Sequence, residues 1–291
     1  MKWIDYQTPS TIDEAIKMLA DSKGEARPMA GGTDLIVQLR VKDPRVNASM
    51  IVDIKKIKEL NVLNYDSQKG LTIGAAVPLY KIYNDANVKK HFPAIIDSAS
   101  LIGGTPIQGR ATLGGNLCNG APSGDSIPIL IAHNAIANIS GPKGQRQCPV
   151  EDICIGPRQT SIDSDELLIS LFLPNPNEGF GANYIRFIPR NEMDIAVAGV
   201  GVSVNIVNGT FTAAKISLAS VAPKPILVSK AAGALVGQPV GTEAIQKAAD
   251  AAKEAASPIS DMRGTAEYRK HLCEVLTRRA INTAVERAGG N

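Results

Sequence analysis

Two glycine-rich segments, far apart in the sequence, place the strongest constraint on how this chain folds. The first reads Ala30-Gly31-Gly32-Thr33-Asp34, and the second reads Ala111-Thr112-Leu113-Gly114-Gly115-Asn116. Glycine lets a backbone approach another group without an intervening Cβ, and successive amides in such turns form concave anion sites. The threonines add hydroxyl donors. Either segment alone is more typical of a glycine-rich surface turn than of a phosphate site, so the glycines by themselves leave both interpretations open.

Several familiar nucleotide-binding and catalytic motifs do not occur in the sequence. There is no G-x-G-x-x-G after a strand and no G-x-x-x-x-G-K-[S/T], the patterns of dinucleotide-binding and P-loop proteins. G-x-S-x-G and H-E-x-x-H, which mark α/β-hydrolases and zinc proteases, are also missing. The sequence argues against these four classes, and we predict no catalytic residue on this chain.

Composition and charge argue against a nucleic-acid partner, a membrane span and a metal site. The 291 residues carry a formal net charge of +3, which is too small to indicate nucleic-acid binding. No segment approaches the roughly 18 apolar residues of a bilayer span, and the first residues lack a secretory signal. We therefore expect a cytoplasmic protein without membrane insertion. Four cysteines without a C-x-x-C pair, and only three histidines, predict no metal site.

The densest basic segment lies near the C-terminus, where Arg269, Lys270, Arg278 and Arg279 alternate with glutamates. Interleaved charges of both signs are typical of a solvent-exposed helix face. We expect a solvated helix here in preference to a docking surface.

Apolar periodicity and turn residues predict an α+β protein with two regions. Ser10 is predicted to cap the first helix, and Asp34 to open the second. Residues 174–177 (PNPN) read as a linker between the regions. In the second region, Asn208-Gly209 is predicted to join two strands. Those strands and the helices after them are predicted at about residues 196–206, 215–221, 242–256 and 266–284.

Motifs distributed along the chain, in order and at fixed spacing, resemble one known family. They are residues 28–35 (PMAGGTDL), 107–116 (IQGRATLGGN), 121–125 (APSGD), 257–263 (SPISDMR) and 268–270 (YRK). Over nearly its whole length the chain is similar to the FAD-binding medium subunit of the molybdenum hydroxylases. That family includes xanthine dehydrogenase, aerobic carbon monoxide dehydrogenase and nicotinate dehydrogenase.

The resemblance implies a two-domain fold. Residues 1–175 are expected to form a two-lobed FAD-binding domain of the vanillyl-alcohol-oxidase-like (PCMH) type, with lobes at about 1–57 and 58–175. Residues 178–291 are expected to form a smaller α+β domain of the carbon monoxide dehydrogenase flavoprotein type.

The resemblance also implies how the two glycine-rich segments bind FAD. Backbone groups of the first would surround the diphosphate, and those of the second would meet it from another side. The implied contacts are Met29, Ala30, Gly31, Gly32, Thr33, Asp34, Leu35, Thr112, Leu113, Gly114, Gly115 and Asn116.

Four further positions fall beside other parts of the cofactor by the same resemblance. Asp125 would accept hydrogen bonds from FAD hydroxyls; the alternative is a role at the start of the following helix. Leu168 and Arg186 fall beside the isoalloxazine ring, where a cation would stabilise the anionic reduced flavin. The alternative for Leu168 is a core strand residue, and the alternative for Arg186 is a surface partner for an acid. Ile102 stands where some relatives have an aromatic ring, so only van der Waals contact is implied.

The function implied by the resemblance is an electron relay. A large subunit would carry the molybdenum cofactor, and a small subunit two [2Fe–2S] clusters. Electrons would reach the FAD of this chain and leave to NAD(P)⁺ or another acceptor. The organic substrate would be chosen by the large subunit. Two alternatives stay open, a free-standing flavoprotein oxidase or reductase of the same fold and a nucleotide-binding regulatory protein without flavin.

Overall fold

The computed structural model describes residues 3–46, 48–190 and 192–289. Its first part is a small parallel sheet of three strands in the order β1-β3-β2, with one helix in each connection. Its elements are β1 (Asp5–Gln7), α1 (Ile12–Asp21), β2 (Ala26–Met29), α2 (Leu35–Arg40) and β3 (Met50–Asp53). The apolar face of α1 packs on β2 and β3, as expected for an amphipathic helix covering a sheet.

Helix α1 is capped by Thr11 and not by Ser10, which corrects the prediction. The Thr11 hydroxyl accepts the N–H of Glu14, and the Glu14 carboxylate accepts the N–H of Thr11 in return. This reciprocal pair requires a Ser or Thr three residues before a Glu or Gln. Thr11 meets that spacing, whereas Ser10 has Asp13 in the corresponding place.

The second part is an antiparallel five-stranded sheet in the order β4-β5-β10-β6-β7. Its strands are β4 (Leu63–Asp66), β5 (Gly70–Gly74), β6 (Ile136–Gly141), β7 (Gly144–Pro149) and β10 (Leu167–Pro174). β8 (Cys154–Gly156) and β9 (Gln159–Thr160) form a separate short hairpin. One core extends from this sheet into the helices that connect β5 to β6. Those helices are α3 (Leu79–Asn84), α4 (Ala86–His91), α5 (Pro93–Ala99), α6 (Thr105–Gln108), α7 (Leu113–Cys118) and α8 (Ser126–Ala132). Short 3₁₀ turns occur at Ile54–Lys56, Lys58–Asn61 and Val150–Asp152.

The third part is an antiparallel sheet in the order β11-β12-β13-β14, with three helices after it. The strands are β11 (Phe180–Phe187), β12 (Ala198–Val207), β13 (Thr210–Ala219) and β14 (Ile226–Leu227), and the helices are α9 (Ser229–Gly233), α10 (Thr242–Ala255) and α11 (Ala266–Arg287). Asn208 and Gly209 both have positive φ, 50° and 72°, as a two-residue type I′ hairpin requires. Pairing begins directly at this turn, so β13 starts earlier than predicted.

Strand β12 joins the second and third parts because both of its faces are covered. Gly201 and Ser203 face α8, where the Ser203 hydroxyl donates to the Ala132 carbonyl at 2.7 Å. A Cβ on Gly201 would lie 2.7 Å from the Ile129 nitrogen, so only glycine lets α8 approach this closely. The alternate residues Val200 and Val202 pack into the core formed with α10 and α11.

In the described part of the chain, no helix combines the length and the apolar character that crossing a bilayer requires.

Candidate functional site

The two glycine-rich segments meet in space. We call residues 30–35 the first loop and residues 111–116 the second loop. A Cβ placed on Gly31 would overlap the Arg110 carbonyl oxygen and lie 2.9 Å from the Cα of Ala111. The loops therefore touch backbone to backbone through a glycine that leaves no room for a side chain.

The first loop has a row of unpaired backbone donors. The N–H groups of Gly31, Gly32, Thr33 and Asp34 donate to no protein acceptor within residues 3–46, 48–190 and 192–289. Gly32 has a φ of 75°, in the left-handed region that favours glycine. Consecutive amides around such a residue form a concave anion site.

The second loop begins helix α7 with Thr112 as the N-cap. Its hydroxyl oxygen accepts the N–H of Gly115 at 2.8 Å, which fixes the direction of the first turn. A Cβ on Gly114 would lie 2.8 Å from the Cα of Ala75, so this glycine permits close packing on the sheet. Gly115 is exposed. The two glycines of this loop therefore have different surroundings.

Asn116 ties the second loop to the start of helix α8. Its side-chain oxygen accepts the Ser126 hydroxyl at 2.6 Å and the Ser126 N–H at 3.2 Å. Since Ser126 directly follows Asp125, these hydrogen bonds hold the second loop next to Asp125.

Asp125 lies in a buried cluster with two residues of β11. One carboxylate oxygen accepts the Tyr184 hydroxyl, and the other accepts Nη1 of Arg186, both at 2.6 Å. Burial raises the pKa of Asp125, and the Arg186 charge and the two hydrogen bonds oppose that rise. Burial and the Asp125 charge raise the pKa of Tyr184 well above its usual value.

Arg186 also reaches the segment that contains Ile102. Its Nη2 donates to the Leu101 carbonyl at 2.8 Å, and the side chain is only 4% exposed. Arg186 is therefore paired with an acid, as the alternative interpretation of the sequence expected, but the pair is buried and does not lie at the surface. Buried Gln108 supports the same segment by donating to the carbonyls of Ser100 at 2.8 Å and Ile102 at 3.3 Å.

Leu168 lies on β10 and is 3% exposed, within the large core of the second part. It occupies the position of a core strand residue, the alternative weighed from the sequence. Ile102 is half-buried.

Sequence reasoning did not find Tyr184 or Gln108. Gln108 lies within the motif at residues 107–116, but the sequence alone indicates no separate role for it. Tyr184 has no local pattern that distinguishes it, because its partner Asp125 is 59 residues away.

The residues present fit an FAD molecule. The first loop carries backbone amides with no acceptor among the described residues and lies against the second loop, as suits a diphosphate. Arg186 Nε is buried and has no partner in the structure. Arg186 also lines an open cavity of about 490 Å³ with Leu101 and Phe187. Among the residues that the structure describes, no three His, Cys, Asp or Glu side chains are grouped closely enough to hold a metal ion.

These features define a class of protein, an α+β flavoprotein with paired glycine loops. Two family models match the chain: the FAD binding domain in molybdopterin dehydrogenase over residues 2–176, and the CO dehydrogenase flavoprotein C-terminal domain over residues 183–284. The xanthine dehydrogenase FAD-binding subunit of Escherichia coli O157:H7 is 32% identical over 98% of this chain and 97% of its own length. The carbon monoxide dehydrogenase medium chain of Hydrogenophaga pseudoflava is 28% identical over 96% of both chains.

Solved structures agree. Carbon monoxide dehydrogenase from Hydrogenophaga pseudoflava superposes with a TM-score of 0.94, 28% identity and 98% coverage of both chains. Quinoline 2-oxidoreductase from Pseudomonas putida 86 gives 0.90, with 26% identity and 99% coverage of both chains. The chain therefore belongs to the family of FAD-binding medium subunits of the molybdenum hydroxylases, and it is an oxidoreductase subunit with FAD as its cofactor. The predicted family and two-domain fold are confirmed.

Proposed function

We propose that the first and second loops jointly bind the diphosphate of FAD. The observation that carries this proposal is the contact of Gly31 with the Arg110 backbone, which brings the two loops together. Backbone amides suit a diphosphate because they supply several donors without the cost of ordering long side chains. The proposed contacts are Met29, Ala30, Gly31, Gly32, Thr33, Asp34, Leu35, Thr112, Leu113, Gly114, Gly115 and Asn116.

We further propose that the isoalloxazine ring lies near Ile102 and Arg186, whose buried Nε has no hydrogen-bond partner among the described residues. Leu168 is buried in the core of the second part. Its proposed contact with FAD therefore requires the isoalloxazine ring to reach that core. Each Asp125 oxygen already accepts one hydrogen bond. Its proposed contact with FAD hydroxyls uses the remaining lone pairs.

We propose that the chain serves as an electron relay in a heterotrimer. FAD accepts single electrons and delivers two together, which suits a junction between one-electron and two-electron partners. The chain would bind and orient it between the [2Fe–2S] clusters of a small subunit and NAD(P)⁺ or another acceptor. A large subunit would hold the molybdenum cofactor. Support comes from relatives named as medium chain or FAD-binding subunit. A cytoplasmic location stays a prediction.

We propose domain boundaries at 1–175, with lobes at about 1–57 and 58–175, and at 178–291. Strand β10 ends at Pro174 and β11 begins at Phe180. The two family matches end at 176 and begin at 183.

Reconstitution tests the cofactor proposal. The purified full-length chain is incubated with FAD, desalted, and its flavin absorbance compared with its protein concentration. We expect one FAD per chain. A folded chain that emerges colourless would contradict the proposal and favour a nucleotide-binding protein without flavin.

A second experiment separates the relay from a free-standing flavoenzyme. The FAD-loaded chain and the complex purified from its native host are assayed in parallel with N-heterocycles and aldehydes, using NAD⁺, NADP⁺ and artificial dyes as acceptors. We expect molybdenum and iron in the complex, turnover by the complex, and none by the chain alone. Turnover by the chain alone would overturn the relay.

A further inference from the structure

Strand β11 presents two polar side chains to one carboxylate. Tyr184 and Arg186 are two residues apart, so they lie on the same face of the strand. Both contact Asp125 at 2.6 Å, one on each oxygen. This cluster connects the strand to the start of helix α8.

The cluster is a neutral unit in a poorly solvated place. The side chains of Arg186 and Asp125 are 4% and 9% exposed. Water screens such a pair weakly, so each charge strongly affects its surroundings. As long as both are present, their fields largely cancel at a neighbouring group.

The neighbouring strand leaves room for this arrangement. Gly199 of β12 lies opposite Arg186 in the register of the sheet. A Cβ on Gly199 would lie 2.7 Å from the Tyr184 hydroxyl oxygen. The missing side chain lets that hydroxyl reach Asp125.

Arg186 contacts the acid and also belongs to the lining of an open cavity. Its Nη1 faces Asp125, its Nη2 donates to the Leu101 carbonyl, and its Nε is buried with no partner in the described part of the chain. Leu101, Arg186 and Phe187 line the cavity of about 490 Å³. A group bound there lies next to Arg186, whose guanidinium is paired with Asp125.

We propose that Asp125 is a positioning residue that sets the reduction potential of the bound flavin through Arg186. It holds the guanidinium at the cavity wall and compensates its charge, so the isoalloxazine ring meets a neutral ion pair and not a free cation. Reduction of FAD adds two electrons and one proton and leaves a net negative charge, which a free cation would favour. This inference rests on the proposed function, because it requires FAD in this cavity.

The test measures the potential of the FAD-loaded chain. Wild type, Asp125→Asn and the double variant Asp125→Asn/Arg186→Met are titrated with a reductant against a reference dye, after their FAD content has been determined. Asp125→Asn leaves the Arg186 charge uncompensated. We expect it to raise the equilibrium constant for flavin reduction about tenfold, a positive shift of about 30 mV for a two-electron couple.

The double variant removes both charges and covers the case in which Asp125→Asn folds poorly. Its constant should return to within about twofold of wild type, as compensating charges in contact predict. Asp97→Asn is the matched control. Asp97 pairs with Arg287 at 2.6 Å and also accepts from Asn183 of β11, but it does not line the cavity. Its potential should match wild type.

Three results would overturn the inference: an unchanged or lower potential in Asp125→Asn, a double variant that keeps the raised potential, or an equal shift in Asp97→Asn. Failure of wild type to retain FAD overturns the proposed function and this inference with it. Retained FAD with an unmoved potential in Asp125→Asn overturns the inference alone.

Discussion

Gly31 lies against the backbone of Arg110 so closely that a Cβ on Gly31 would overlap the Arg110 carbonyl oxygen. This contact joins two segments that are far apart in the sequence, and the first of them carries backbone amides with no acceptor among the described residues. The cofactor proposal depends on this juxtaposition, because neither loop alone surrounds a diphosphate.

Replacing Gly31 by alanine should separate the loops. The added Cβ forces the backbone near Arg110 to move, and overpacking of this kind costs about 1–3 kcal/mol. We expect FAD affinity to fall about 10- to 100-fold, measured by flavin fluorescence titration. Gly109→Ala is the matched control, since the nearest atom to a Cβ there is the Pro106 carbonyl oxygen at 3.7 Å. Wild-type affinity in Gly31→Ala would refute the proposed role of this contact.

Removing the Thr112 hydroxyl should loosen the second loop. That hydroxyl accepts the Gly115 N–H, and loss of an N-cap costs about 1 kcal/mol of stability. We expect Thr112→Val to lower the urea midpoint and weaken FAD binding, while Thr112→Ser, which keeps the hydroxyl, changes neither appreciably. If the serine variant lost as much as the valine variant, the cap would not be the cause.

The C-terminal motif should prove structural, because Arg269 is buried. It donates to Asp261 at 2.6 Å and to the carbonyls of Val197 at 3.0 Å and Ser220 at 3.3 Å. Arg269→Met removes all three hydrogen bonds, so we expect a loss of about 2–3 kcal/mol in the free energy of unfolding. Arg279→Met, at an exposed position of the same helix, should stay within about 0.5 kcal/mol of wild type. Equal losses in both would contradict this assignment.

Stability should fall in acid because of His133. Burial lowers its pKa from 6.5 to about 4. Between these values the unfolded chain binds a proton that the folded chain does not. The stabilisation is present above pH 6.5 and is lost as the pH falls towards 4, by up to about 3 kcal/mol.

Urea unfolding at several pH values checks this prediction. His133→Phe should flatten the dependence in that window while keeping ring contacts with Phe92 and Phe180. His271→Gln, at an exposed site, is the matched histidine control. An undiminished slope in His133→Phe would rule out this histidine as the source.

Sequence reasoning succeeded where a feature is local or is repeated at fixed spacing. The Asn208-Gly209 turn follows from residue type, because both residues adopt positive φ. The family followed from ordered motifs and is confirmed by the comparisons. The cap at Thr11 could also have been predicted, because Thr11 and Glu14 have the spacing of a capping box.

Long-range contacts were out of reach. Arg269 was expected on a solvated helix face, but it is buried because Asp261 and two strand carbonyls converge on it. The Tyr184–Asp125 bond joins residues of separate parts. Which side chains come together depends on how the sheets and helices pack. The residue pattern of a single segment does not determine this packing. The FAD contacts themselves stay predictions.

The central claim, that backbone amides of the two loops hold a diphosphate, is tested most directly by comparing FAD with riboflavin, which has the same ring but neither the diphosphate nor the adenosine. Dissociation constants for both are measured on the wild-type chain by fluorescence titration at one ionic strength. The account predicts that FAD binds at least about 100-fold more tightly, since several amide hydrogen bonds to a charged group contribute about 3 kcal/mol or more. Equal affinities for the two flavins would contradict it.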